Sequence, residues 1–575
     1  MSTKVETKIS KVDLKAQPYN LSDEDIKWVK DTISSMSIEE KIGQMFINLF
    51  FTSDSTERSI DTIKKYHIGG ARYQGGDSQQ VQDLINQLQA TSKVPLLVAA
   101  NCDAGGNGAC NDGTYVAKPA LCEASGDVQV SYDAGYVSGR EMEALGVNWN
   151  FDPSVDILKN WRNTVVNTRA YGTTAESVIK HTNAYIKGLR ESNIGVCIKH
   201  FPGDGVEERD QHLVMGVNDL SVEEWEESFG KVYLNHIQNG VHSIMVGHIA
   251  LPVYQKQLVS GLEDKDVLPA SLAPELINGL LKGRLGFNGL ALTDSSLMAG
   301  MTSAMSREEQ VPRAIAAGCD MFLFFNDIEE DFNFMLNGYK KGIITEERLQ
   351  DALERIVGLK AAIGLPKTNK EGSLLRNRDE LKVIGCKDHL QRAKAAANKG
   401  ITLVKNTLNQ LPIRPETHKR IRLYYLESGK AGMHRSNSNT LQLIITELES
   451  HGFEVTLNED KSMVKGSTQK YREEVDAALI FANIQGFATE NNYRIRWSGP
   501  LSNEIPWYVH EVPTVFVSLN FTNHLTDVPM VKCYINAYND DENTIKSTIE
   551  KIMGESEFNG TPNKNVWCDK WETKL

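Results

Sequence analysis

A chain of 575 residues, 41% hydrophobic and 24% charged, has an ordinary globular composition, which excludes a disordered, collagenous or disulfide-scaffold protein. Its net charge of −13 offers no basic footprint for nucleic acid or anionic lipid. The length exceeds one ordinary domain and fits two domains, one of them a large α/β barrel, as well as it fits four small ones.

The amino-terminal stretch Met1–Tyr19 alternates Lys and Glu with small polar residues and has no apolar signal core, so residues 1–20 read as a flexible segment. Structure is expected from Leu21, where Ser22 and Asp25 form a capping box for a helix carrying Ile26, Val29 and Ile33; Ser37 and Glu40 repeat the device. Short apolar runs then alternate with helical patterns. The predicted strands are Met45–Phe50, Gly70–Tyr73, Pro95–Ala100, Val147–Phe151, Gly195–His200, Ser243–Ile249, Gly289–Thr293 and Asp320–Phe325. Ser78–Leu88, Ala175–Leu189 and Ser221–Gln238 are amphipathic helices between them. Eight βα units predict a closed (βα)8 TIM-type barrel over 21–365. An open doubly wound sheet is the alternative, but no GxGxxG follows the first strand.

Residues 366–399 read as a linker region, because Pro366–Asp379 is rich in Lys, Asn and Gly. A second alternation over 400–575 predicts a smaller open α/β sandwich domain, with strands at Ile401–Lys405, Ile421–Leu426, Ala477–Ala482, Thr514–Leu519 and Met530–Ala537 and helices at Thr440–Ser450 and Glu542–Met553. Its loop 485–500, with Arg494, Arg496 and Trp497, reads as a surface loop after a strand, the alternative being a border to the barrel mouth of its own or a partner subunit, and Trp567 and Trp571 read as packing residues. The eight cysteines include no CxxC, and Cys197 and Cys319 lie in apolar runs; buried reduced thiols are expected. No stretch reaches the apolar length of a membrane span, so a soluble, cytoplasmic protein is expected.

In a barrel the reacting groups sit where strands end at the carboxyl face. That rule selects Asn101-Cys102-Asp103, Asp152-Pro153-Ser154, Lys199-His200-Phe201-Pro202-Gly203, His248 and Asp294-Ser295-Ser296, a ring of ionisable ends that points to a polar pocket. Asp294 closes an apolar run and suits a nucleophile, a base, a metal ligand or a helix cap. Lys199 and His200 are adjacent donors suited to sugar hydroxyls or a phosphate. In Asp210-Gln211-His212 the carboxylate can accept from Nδ1 of the ring and direct Nε2 toward the pocket. No GxSxG elbow supports a serine hydrolase, and no ligand pair has the spacing of HExxH, so neither a metal nor a cofactor is expected.

Together, Lys199-His200-Phe201-Pro202-Gly203, Asp210-x-His212, Met245-Val-Gly-His248-Ile and Leu292-Thr-Asp294-Ser resemble glycoside hydrolase family 3, most closely its β-N-acetylglucosaminidase branch. The resemblance extends through Gly69-Gly70-Ala-Arg72-Tyr73, Asn167-Thr-Arg169-Ala-Tyr-Gly172 and Gly400-Ile-Thr-Leu-Val-Lys405-Asn406. It implies a retaining exo-glycosidase that removes β-linked N-acetylglucosamine from small glycosides such as chito-oligosaccharides or peptidoglycan fragments. By the same resemblance Asp294 is the nucleophile, and His212 is the acid and then the base, oriented by Asp210. Asp103, Arg169, Lys199 and His200 hold sugar hydroxyls, with Arg72, Asp152 and His248 as further substrate-binding candidates. The expected partner is a small carbohydrate, with neither nucleic acid nor membrane, and a homodimer is the candidate assembly.

Two departures stand out. Gly203-Asp204-Gly205 replaces the branch's frequent Gly-His-Gly, which adds a negative charge near the histidine, and Ala104-Gly105-Gly106-Asn107 replaces Glu-Gly-Gly-Arg, which loses a sugar-facing Arg. A phosphorylase, a β-glucosidase of the same family and a non-catalytic sugar-binding protein are the competing readings. Retention of Asp294, Asp210 and His212 argues against the last.

Overall fold

The computed structural model describes residues 11–428, 439–484, 491 and 493–575. Residues 1–10 of the amino-terminal segment, and 485–490 and 492 of the 485–500 loop, lie outside them. The chain divides into two compact units that interleave in sequence. The first takes the chain up to Tyr115, Tyr132–Ile157 and Thr174–His389; the second takes Val116–Ser131, Leu158–Thr173 and Leu390–Leu575.

The first unit contains strands β1 (Phe46–Phe51), β2 (Gly70–Gln74), β3 (Leu97–Ala100), β4 (Trp149–Asn150), β5 (Gly195–Phe201), β6 (Gly216–Val217), β7 (Ser243–Val246), β8 (Ile249–Ala250), β9 (Leu290–Ser295) and β10 (Met321–Leu323). β1, β2, β3, β4, β5, β7, β9 and β10 pair in that order, and β10 returns to β1 to close a barrel. Every pairing in it is parallel. All residues of β3, β5 and β7 are buried, as strands covered on both faces require. Each of the eight predicted strands is therefore present.

Three boundaries differ for physical reasons. The run predicted as one strand from Ser243 to Ile249 breaks at Gly247-His248, where the His248 N–H donates to Gln211 Oε1 at 2.8 Å; Ile249–Ala250 then pairs with Gly216–Val217 instead. The run Ser221–Gln238 is interrupted by a π-turn at Glu226–Gly230, a single-turn insertion often found near functional sites. Asp320 precedes β10 because its carboxylate is drawn into a buried cluster with Lys282, 3.0 Å away, and Arg348. In the same cluster Asp351 binds Arg355 at 3.0 Å and accepts the Val12 N–H at 3.0 Å.

That last bond holds the described part of the segment read as flexible, residues 11–20, on the first unit. Leu14 and Tyr19 are buried against Gly358, and Asn288 bonds Asp13 and Gln17. The 366–399 segment carries helices Leu365–Lys370 and Lys387–Gly400 and the 3-10 turn Arg378–Val383.

The second unit holds a six-stranded sheet of β11 (Thr402–Asn406), β12 (Arg420–Glu427), β13 (Glu454–Leu457), β14 (Ala477–Asn483), β15 (Thr514–Ser518) and β16 (Cys533–Asn536). Their spatial order is β11-β16-β15-β14-β12-β13, with only β11 antiparallel to its neighbour. Both faces are covered. Leu423, Leu479, Val515 and Ile535 meet Ile444 and Ile549 of the helices Thr440–Ser450 and Glu542–Ile552, while Tyr424, Ile480, Phe516 and Tyr534 form the opposite core. The sequence reading missed β13, an edge strand with no fully buried residue and hence no apolar run. Trp567 packs against the second of these cores, but Trp571 is 74% exposed, contrary to its reading as a packing residue. All eight cysteines are free, and all but Cys386 are buried. Among the described residues no helix is long and apolar enough to cross a membrane.

Candidate active site

Strand β5 supplies the centre of the site. Its pairing with β7 shifts register between Ile198 and Phe201, and such an irregularity disrupts the strict alternation of side chains. Lys199 reaches Asp152, at the end of β4, with Nζ 2.9 Å from Oδ1, and both side chains are almost wholly buried. Each charge offsets the desolvation of the other.

His200 turns to a residue that sequence reasoning missed. Its Nδ1 lies 2.7 Å from Oδ2 of Asp156, which also accepts the Ser154 hydroxyl at 2.9 Å, while Oδ1 accepts the N–H groups of His200 at 3.2 Å and Asp204 at 2.8 Å. Burial alone would raise the Asp156 pKa; the attraction of His200 and these donors hold it below the usual carboxylate value. An ionised carboxylate only accepts, so Nδ1 of His200 carries the proton. Nε2 is directed to Asp294, 3.9 Å from Oδ2. The available signal for Asp156 was an acid flanked by the apolar Val155 and Ile157 just past a strand end.

Asp294 lies in β9 with its side chain 13% exposed. Burial pushes its pKa up, but His200 foremost, with His212 and the Ser295 N–H, 2.7 Å from Oδ1, brings it below the ordinary value. It is the ionised form that can attack.

Asp210 and His212 are hydrogen-bonded to each other. One oxygen of buried Asp210 accepts the His212 N–H at 2.8 Å and lies 2.6 Å from Nδ1, while the ring keeps 19% of its surface exposed. The proton on Nδ1 points to Asp210, which leaves Nε2 as the atom to give or take a proton.

His248 is placed differently from a hydroxyl-binding group. Nε2 lies 2.9 Å from the Ser295 carbonyl, which can only accept, so Nδ1, 2.8 Å from the Ser271 hydroxyl, is the acceptor. Burial lowers its pKa, in keeping with a neutral ring that braces the end of β9. Arg72 in β2 donates through Nε to Asn101 at 3.3 Å. Asp103 follows β3 on a loop held from behind by Glu141. That carboxylate accepts the Thr114 N–H at 2.8 Å and the Gly385 N–H at 3.2 Å, and lies 2.7 Å from His389 Nδ1. A Cβ on Gly106 would fall 1.8 Å from Glu141, so the loop's approach requires glycine there. Arg169 lies in the 3-10 turn Asn167–Arg169, which belongs to the second unit.

Asp204 does not add a solvent-facing charge. It is buried, and its carboxylate accepts the Gly205 N–H at 2.6 Å and the Gln211 amide at 3.4 Å. Among the described residues no group of three or more His, Cys, Asp or Glu is arranged to hold a metal ion. An ionised carboxylate and an oriented imidazole on one barrel face are the parts of a nucleophile and acid/base pair.

The family model described as "Glycosyl hydrolase family 3 N terminal domain" matches residues 37–359, which include Asp152, Asp156, Lys199, His200, Asp210, His212, His248 and Asp294. The chain belongs to glycosyl hydrolase family 3. This family 3 protein is 39% identical over 568 residues to a Cellulomonas fimi protein named β-N-acetylglucosaminidase/β-glucosidase, covering 98% of this chain and 100% of the relative. A solved structure titled β-glucoside phosphorylase BglX bound to 2FGlc superimposes with a TM-score of 0.91 at 37% identity, covering 96% of this chain and 98% of that one. A family 3 β-N-acetylglucosaminidase from Paenibacillus sp. str. FPU-7 shares the fold, with a TM-score of 0.76 at 22% identity over 92% of this chain and 99% of its own. The family 3 protein is thus a glycoside hydrolase by kinship over nearly its whole length.

Proposed function

We propose that the protein is a retaining exo-glycosidase that releases β-linked N-acetylglucosamine from the non-reducing end of small glycosides. The observation that carries the reading is the Asp210–His212 pair on the same barrel face as Asp294. Asp294 attacks the anomeric carbon while Nε2 of His212 protonates the leaving oxygen. Water then enters, giving its proton back to His212 as it displaces Asp294. Lys199 and His200 hold the sugar hydroxyls, joined by Asp103, with Arg72 and Asp152 as further contacts. The relative named for both β-N-acetylglucosaminidase and β-glucosidase activities supports a site that takes either sugar.

A second reading is phosphorolysis, favoured by the phosphorylase among the similar structures and by the chemistry of the proton donor. An imidazole in place of a second carboxylate presents no like charge to an incoming phosphate, and Asp210 sits behind the ring on its Nδ1 side.

Hydrolysis of 4-nitrophenyl β-N-acetylglucosaminide and β-glucoside, with and without inorganic phosphate, separates these readings. The free sugar as product supports hydrolysis, and sugar 1-phosphate supports phosphorolysis. Asp294→Asn is expected to abolish turnover of both substrates; unchanged turnover overturns the assignment.

A further inference from the structure

The residue between Asp210 and His212 ties the dyad segment to three other parts of the barrel. Gln211 is buried, and its side chain works in both directions: Oε1 accepts the His248 N–H at 2.8 Å, and Nε2 donates to Asp204 Oδ2 at 3.4 Å. Its main-chain carbonyl accepts the Gly300 N–H at 3.1 Å, and the next carbonyl, of His212, accepts the Ala299 N–H at 3.0 Å. Ala299 and Gly300 follow Asp294 by a few residues on the helical turn Ala299–Thr302. The approach is close. A Cβ on Gly300 would stand 2.7 Å from the Gln211 carbonyl, and one on Gly247 would stand 3.2 Å from Gln211 Oε1.

We propose that Gln211 is the positioning residue that sets the reach of His212, by latching the dyad loop to the end of β7 and to the turn after the nucleophile. The proposal rests on the reading of His212 as proton donor. Asp204 has its place in the same device: its carboxylate takes the amide of Gln211 while its N–H is held by Asp156, so the latch and the His200 support share one anchor. A glutamine suits the position because it accepts from a backbone N–H and donates to a carboxylate at once, which neither glutamate nor leucine does.

The test reads kcat/KM for 2,4-dinitrophenyl, 4-nitrophenyl and phenyl β-N-acetylglucosaminides with wild type, Gln211→Met, Gln211→Glu and His212→Ala. Protonation matters most for the poorest leaving group, so a displaced acid costs most there. The Gln211 variants are expected to lose roughly tenfold to a hundredfold on the phenyl glycoside and little on the dinitrophenyl one. An equal loss on all three substrates, or none, overturns the proposal. If His212→Ala itself shows no steeper dependence on the leaving group than wild type, the reading of His212 fails. If His212→Ala steepens it and the Gln211 variants do not, only the latch fails. Should the variants not fold, hydrogen exchange on the wild-type protein still decides: the amides of His248, Ala299 and Gly300 are expected to be protected, and exchange at the rate of open loops overturns the latch.

Discussion

Asp156 and His200 are joined at 2.7 Å through Oδ2 and Nδ1, and the opposite ring nitrogen of His200 faces the candidate nucleophile Asp294. The contact fixes which nitrogen carries the proton and leaves the other facing Asp294. Asp156→Ala removes the acceptor and frees the ring, and is expected to lower kcat/KM by about tenfold to a hundredfold, as the loss of an orienting partner does at other sites. Steady-state kinetics with a thermal unfolding control checks this.

The depressed pKa of Asp294 gives a signed pH prediction. Burial raises it, and the neighbouring imidazoles, His200 foremost, more than offset that rise. With Asp294 as the proposed nucleophile, activity is expected above its pKa and is expected to be lost as pH falls through it. His200→Ala removes the strongest of these attractions, so the acid limb of kcat/KM moves to higher pH than in wild type. An acid limb that stays in place contradicts the assignment of the limb to Asp294.

Lys199 and Asp152 form a buried pair whose members depend on each other. Lys199→Met leaves a carboxylate buried without its cation and is expected to cost about 3–5 kcal/mol in urea unfolding. Adding Asp152→Leu removes the stranded charge and is expected to recover most of that stability. Turnover is not expected to return with it.

Gly106→Ala places a methyl group against Glu141, the carboxylate behind the Asp103 loop. The loop must shift, with an expected loss of about 1–3 kcal/mol in stability. The kinetic signature is a raised KM with a smaller change in kcat, measured on the same aryl glycosides.

Lys360 of the helix Glu346–Ala362 donates to Gln44 of the helix Ile38–Gln44 at 2.7 Å, and burial pushes it down to about 7. An unfolded lysine titrates near 10.4, so between about pH 7 and pH 10 the folded form binds fewer protons than the unfolded one, and this group makes stability rise with pH. Lys360→Met is expected to flatten that rise. Lys282, also pushed down to about 7, contributes with the same sign, so the slope is reduced and not abolished. Unfolding free energies at pH 7, 8.5 and 10 for the two proteins test this.

The barrel was legible because its strands are apolar runs covered on both faces, a pattern that needs no tertiary knowledge. Its site was legible in part because charged residues stand at the ends of those runs. Asp294, Lys199, His200 and the Asp210–His212 spacing are local facts of the chain. So are the two capping boxes at Ser22 and Ser37, both of which form. What the chain by itself left open is how those groups are wired. Asp156 meets His200 across 44 residues, Gln211 meets the His248 N–H across 37, and Glu141 meets His389 across 248. No local pattern encodes such separations, because the partners are brought together only when parallel strands close and place their carboxyl ends side by side. The same closure turned His248 from an apparent hydroxyl donor into a brace, since both ring nitrogens found partners on segments distant in sequence. Residue types and strand ends were determined by the sequence; tautomers, hydrogen-bond partners and the reach of each side chain were decided by the barrel.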